Sequence, residues 1–193
     1  MDFEELARRL LNARAEPDPV LDAARRAAVA LVLRDGSGQP EVLLMQRAER
    51  TGDRWSGQIS LPGGHAEPGD PDLLATALRE AREEVGLELG RDARLLGHLP
   101  PVQARARGQL LSMWITPYVF GLETGAEPVL GSEATAAFWF PLARASAGEF
   151  PWTYRYLRED EERVLPAWRF EEHVVWGLTY DILSGFLRLT SLS

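Results

Sequence analysis

The chain has 193 residues, of which 45% are hydrophobic, and its 21 basic and 29 acidic side chains leave a net charge of −8 with no cysteine. Such a chain buries a core without staples, so disordered and disulfide-scaffold classes are excluded, and its negative charge argues against nucleic acid as a partner. All 21 cations are arginine, which excludes Schiff-base and phosphate-loop lysines as the missing thiols exclude cysteine nucleophiles, thiolate zinc and iron–sulfur clusters.

Residues 2–14 place Leu6, Leu10 and Leu11 on one side of a charged helix, unlike a signal peptide. Pro17 and Pro19 end it, and a short Ala-rich helical stretch closing at Arg25 and Arg26 completes an N-terminal extension over residues 1–26. Residues 27–33 form an apolar run expected as a buried strand. After the turn Asp35-Gly36-Ser37-Gly38, residues 41–47 supply the second strand of a hairpin. A loop over 50–57 leads to an extended 59–61, the pair Gly63-Gly64 and a polar loop over 65–70. Residues 71–85 then predict a helix with Asp70 at the N-cap, Pro71 in the first helical position and Gly86 past its end. Strands are expected at 95–99, 110–120 and 137–140, with Arg105 and Arg107 in a loop and a Gly/Glu-rich loop over 122–133. An aromatic hairpin is expected at 152–156 and 164–170, and a final helix at 171–189. With no repeat or linker, residues 1–193 read as one domain of α/β (α+β) class, a sandwich around a mixed sheet. No run approaches the ~18 apolar residues of a membrane span, so no membrane partner and a cytoplasmic location are expected.

At 100° per residue Leu74, Leu78, Ala81 and Val85 make the core stripe of the 71–85 helix. Glu80 and Glu84 are i,i+4 neighbours with Glu83 beside them, so three carboxylates share one wall. Arg79 can pair with Glu83, but Glu80 and Glu84 have no arginine on their own face. Unneutralised, each like pair costs about 0.2–0.5 kcal/mol. A hard divalent cation, Mg²⁺ or Mn²⁺, resolves the repulsion and also binds phosphate; a solvated acidic face is the plain alternative for the string alone. Paired glycines after a strand, an acidic loop, a proline-started helix and a helix-ending Gly-Leu surround it.

The stretch from 64 to 87 resembles the Nudix box, G-x5-E-x7-R-E-U-x-E-E-x-G-U with U aliphatic. Gly64, Arg79, Glu80, Ala81, Glu83, Glu84, Gly86 and Leu87 match. Asp70 stands where the box has its first Glu, with eight residues rather than seven before Arg79. This longer spacing resembles the coenzyme A pyrophosphatase branch, as do Leu43-Leu44-Met45-Gln46-Arg47-Ala48, the Gly57 to Gly64 segment and Trp176-Gly177-Leu178-Thr179. The resemblance implies a Nudix-like α/β/α sandwich with a central loop-helix-loop motif.

It also implies hydrolysis of a diphosphate linkage in a nucleoside diphosphate derivative, first among them coenzyme A cut to 3′,5′-ADP and 4′-phosphopantetheine. ADP-ribose, dinucleotides and (d)NTPs are alternative substrates, and a non-catalytic nucleotide-binding module is the alternative of another class. Glu80, Glu83 and Glu84 are expected to hold Mg²⁺ or Mn²⁺. Glu83 or Glu133 is the expected base, with Glu133 equally consistent with a solvated loop carboxylate. Gly63, Gly64, Arg47 and Arg54 are expected to bind substrate. Trp55 reads as a base-stacking ring or a loop anchor. The N-terminal helix and aromatic hairpin offer apolar surface for a homodimer.

Overall fold

A computed structural model describes residues 2–12, 25–36, 38–52, 55–106, 109–158 and 161–190. Helix α1 (Phe3–Asn12) buries Leu6 and Leu10 and leaves Leu11, expected on the same side, largely in solvent. Strand β1 (Arg26–Gly36) starts at Arg26, where a helical stretch was expected to end; residues 21–24 of that stretch lie outside the described residues. β1 turns back into β2 (Gln39–Arg47) as an antiparallel hairpin with Leu33 opposite Val42. β2 then leaves β1 and pairs with β3 (Ile59–Ser60), and the vacated edge of β1 takes β4 (Gly63–His65).

The glycine pair therefore lies in a strand. Gly63 sits opposite Val29 at a φ of 154°, so close that a β-carbon there would strike the backbone of Ala28 and Val29. The chain next forms α2 (Leu73–Val85), α3 (Leu89–Asp92), β5 (Ala93–His98), β6 (Val102–Ala106) and β7 (Gln109–Leu122). β7 runs parallel to β1, and α2 lies within the long connection between them. β5 and β6 pair antiparallel along the other edge of β7, so Arg105 lies in a strand and not a loop; Arg107 is outside the described residues. β8 (Ala134–Pro141) pairs with β2 to complete an eight-stranded mixed sheet.

A short α4 (Leu142–Ser146) follows Pro141, and β9 (Pro151–Arg158) and β10 (Glu161–Phe170) form the expected aromatic hairpin. The expected final helix is divided. β11 (His173–Trp176), whose Val174-Val175 pair favours an extended chain, adds to β10, and Gly177 at a φ of 61° turns it into α5 (Gly177–Thr190). Among the described residues no helix is long and apolar enough to cross a membrane.

Both faces of β1 and β2 are covered. Leu31, Leu33, Val42 and Leu44 pack with α1 and α5, whereas Ala28, Ala30, Val32, Leu43 and Met45 pack with α2. This is the α/β/α sandwich around a mixed sheet. On the α2 side the meeting residues are small, with Ala77 and Ala81 against Ala28 and Ala30. Small residues on both sides let the helix lie close to β1 and carry its next turn against β4. The buried stripe of α2 runs through Thr76, Ala77, Ala81, Glu84 and Val85, while Leu74 and Leu78 flank it half-buried.

The cap of α2 also differs from expectation. Asp72, not Asp70, is the N-cap: its Oδ1 accepts from the N–H of Ala75 at 2.8 Å, and the helix begins at Leu73. Gly86 ends the helix in the left-handed conformation as expected, at a φ of 66°. Asp72→Ala should lower stability by about 1 kcal/mol without altering the fold, read as a shift in the urea midpoint; an unshifted midpoint would show that the cap contributes nothing.

Candidate active site

Glu84 is the most confined carboxylate of the wall. Its side chain is 2% exposed, Oε2 accepts the N–H of Gly63 at 2.8 Å, and Oε1 lies 3.7 Å from Nη1 of Arg47. Burial pushes its carboxyl up to about 7, reinforced by repulsion from Glu80 and Glu133 and opposed by the Gly63 N–H and Arg47. Glu80, one turn earlier, lies across Gly64 so closely that a β-carbon on that glycine would collide with its carboxylate. Its carboxyl is also raised by burial, against the pull of Arg79. The glycine pair thus seats both carboxylates: one by an N–H, the other by the absence of a side chain.

Arg79 makes contacts that helical spacing alone did not suggest. Its Nη1 donates to Glu80 at 3.0 Å and Glu83 at 3.1 Å, so Glu80 does have an arginine partner. The guanidinium folds back along the helix, anchored by Asp70 and by the carbonyl of His65. Glu83 is half-exposed and faces solvent beside it.

Glu133 lies in the turn just before β8. Its carbonyl accepts the N–H of Ala48 at 2.8 Å, and its carboxylate meets Nη1 of Arg50 at 3.2 Å. Because Glu133 acts electrostatically on both Glu80 and Glu84, it shares their field. The loop before it is fixed to α2, with the N–H groups of Val129 and Gly131 donating to the carbonyls of Val85 and Glu84. The fold therefore gathers Arg47, Gly63, Gly64, Glu80, Glu83, Glu84 and Glu133 at one place. Arg54 lies outside the described residues. Arg50 and Asp70 belong to the same network, Asp70 through Arg79 rather than as the helix cap expected from sequence. Trp55 packs partly buried with Val29, Val102 and Leu178 around Ala27, Met113 and Ile115.

Among the described residues no three acidic or imidazole side chains already close into a metal cage. The donor chemistry nevertheless fits a hard divalent cation. Glu84 and Glu80 present carboxylate oxygens whose charge is poorly solvated, and a cation relieves that cost alongside the Gly63 N–H, Arg47 and Arg79.

The family model for the NUDIX domain matches residues 24–173. The chain is 33% identical over 172 residues to the uncharacterized Nudix hydrolase NudL of Photorhabdus laumondii, covering 86% of each. Among solved structures, a C. elegans Ap4A hydrolase binary complex aligns with a TM-score of 0.53 at 22% identity, over 64% of this chain and 85% of that one. A MutT/nudix family protein from Enterococcus faecalis aligns over 96% of this chain and 70% of that one, with a TM-score of 0.53 at 20% identity. At these identities the two structures share the fold.

Glu84 yields a pH dependence of stability. Folding raises its pKa from 4.5 to about 7, so its contribution is whole below 4.5 and is lost as pH rises through about 7. In a chelating buffer, Glu84→Gln should flatten the fall of the urea midpoint across that window, by up to about 3 kcal/mol. A variant whose midpoint falls as steeply as the wild type would contradict the assignment.

Proposed function

The chain belongs to the Nudix family of hydrolases, and from that premise we propose that it hydrolyses a diphosphate linkage in a nucleoside diphosphate derivative, coenzyme A first among them, releasing 3′,5′-ADP and 4′-phosphopantetheine. The observation that carries the reading is the carboxylate wall of α2, with Glu84 on the Gly63 N–H and Glu80 across Gly64. The substrate choice is supported by the segments that resemble coenzyme A pyrophosphatases. The three segments meet at one corner, the last from more than a hundred residues away: the Arg47 backbone N–H donates to the carbonyl of Gln58 at 3.0 Å, and Thr179 Oγ1 donates to the carbonyl of Ile59 at 3.0 Å.

Glu80 and Glu84, with Glu83 beside them, would hold Mg²⁺ or Mn²⁺. Such a cation, when bound, neutralises the diphosphate and makes a bound water more acidic. The chain's own groups do the rest. Arg47 and Arg50 flank the wall and orient phosphate oxygens, with Arg54 proposed as a further contact. Glu83, facing solvent, or Glu133, held by Arg50, takes the proton from the attacking water. The water oxygen bonds to one phosphorus as the bond from that phosphorus to the bridging oxygen breaks. The exposed Leu157 and Val164 of the β9–β10 hairpin support the homodimer expected from sequence.

The test is a substrate panel of coenzyme A, ADP-ribose, NADH, diadenosine polyphosphates and dNTPs, run with Mg²⁺ and then Mn²⁺. Coenzyme A should lead, and Glu84→Gln should lower turnover by about 100-fold or more. If ADP-ribose is cleaved as fast as coenzyme A, the substrate proposal fails. If Glu84→Gln keeps full turnover, the wall is not the site, and if nothing is cleaved, the nucleotide-binding module takes its place.

A further inference from the structure

We propose that Ser60 is a positioning residue: when the wall holds a divalent cation, the Ser60 hydroxyl donates to the Glu84 carboxylate and keeps it on the ion. This rests on the reading of the α2 wall as the hydrolytic centre.

Among the described residues three hydroxyls are shut away from water with no hydrogen-bond partner: those of Ser60, Thr116 and Ser184. A buried hydroxyl left unpaired carries a desolvation cost that an alanine in its place would not. Thr116 stands on β7 beside Ala28, and Ser184 stands on α5. Ser60 stands under the carboxylate wall. Its strand β3 pairs antiparallel with β2, Ser60 opposite Met45, and directly opposed residues share a face. Met45 belongs to the cluster that packs with α2, whereas Ile59, the neighbour of Ser60, belongs to the cluster on the other face. Ser60 therefore points to the side of the sheet that α2 covers.

Glu84 crosses above this strand. β1 and β2 part beyond the Leu33–Val42 pair, and the gap is filled by β3 along β2 and by β4 along β1, joined through Leu61 and Pro62. The Glu84 carboxylate reaches both sides of the gap. Oε2 accepts from Gly63 of β4 at 2.8 Å, and Oε1 lies 3.7 Å from Nη1 of Arg47, the last residue of β2. The first contact is a hydrogen bond; the second is too long for one. An ionised carboxylate has room for about four donors, so Oε1 is loosely held in the charged state that binds a cation. A hydroxyl with no acceptor and a carboxylate oxygen short of a donor thus lie on one face of one gap. Turning about its Cα–Cβ bond, the serine has three staggered positions for its hydroxyl. The one toward Glu84 makes a charge-assisted bond. Glu84 is then held by Gly63 and Ser60, and the Arg47 guanidinium is left to the diphosphate.

The experiment compares Ser60→Ala with Ser60→Cys, which fills the space of the serine but donates weakly, each alone and combined with Glu84→Gln. All are read by equilibrium Mn²⁺ binding, by kcat and KM on the best substrate of the panel, and by thermal midpoint in a chelating buffer. Without metal, Ser60→Ala should melt level with the wild type or up to about 4 °C above it, since an unpaired hydroxyl is removed. Both single variants should bind Mn²⁺ about 10-fold or more weakly and lose kcat in the same proportion, with KM little changed. Whatever binding Glu84→Gln retains, adding Ser60→Ala should not reduce it further. The proposal is overturned if Ser60→Ala binds Mn²⁺ as the wild type does, or if Ser60→Cys restores full binding, because filling space would then suffice. It is also overturned if Ser60→Ala melts below the wild type without metal, since the hydroxyl would then serve the fold. Should Glu84→Gln bind Mn²⁺ as the wild type does, the wall reading and the role of Ser60 fall together; should Glu84→Gln lose the ion while the Ser60 variants keep it, Ser60 alone falls. A wild type that binds Mn²⁺ but cleaves nothing defeats the functional reading, while the Mn²⁺ arm still judges Ser60.

Discussion

Glu84 lies with its carboxylate against the N–H of Gly63, 2.8 Å away, where water scarcely reaches it. A charge in such a place is costly unless its surroundings answer it. The surroundings are set by how near α2 comes to the sheet. Ala77 and Ala81 share one buried cluster with Ala28 and Ala30, and α2 also lies against β4. Packing and site geometry are therefore one constraint, and the cost of the buried carboxylate is the property on which the proposed cation site rests.

Arginine organises the remaining charge. Without lysine, each cation near the wall is a planar fork that can bridge acids as well as meet phosphate. Arg79 bridges Asp70, Glu80 and Glu83; Arg50 reaches Glu133; Arg47 approaches Glu84. A three-donor ammonium in the place of Arg79 could not serve five acceptors. The acids are thus paired through their backs, and the proposed substrate would find guanidinium groups already in the neighbourhood of the carboxylates.

Much of this was legible in the residues. Strand β1 and helix α2 announce themselves by apolar runs and periodicity, and the aromatic hairpin by its two β-rich runs. The wall of Glu80, Glu83 and Glu84 follows from helical spacing alone. What escaped has physical reasons. Glycines carry no side-chain pattern, so nothing in the residues marks β4 as a strand. Two aspartates flank Pro71, and sequence cannot tell which caps the helix and which reaches back to Arg79. The final segment carries helical composition on both sides of Gly177, but Val174 and Val175 pair with β10 and make its first part a strand. The contact between Arg79 and Glu80 was hidden because adjacent helical residues diverge by 100°, and only a fork held from behind by Asp70 turns toward its neighbour.

The central claim is that the α2 wall, seated on Gly63 and Gly64, holds a divalent cation. The most direct measurement is a crystal structure of the protein soaked in Mn²⁺, with the ion located by its anomalous scattering. The account predicts an anomalous peak bonded to carboxylate oxygens of Glu84 and Glu80, with Gly63 still donating to Glu84. A wall without manganese, in crystals that bind the ion elsewhere, would contradict it.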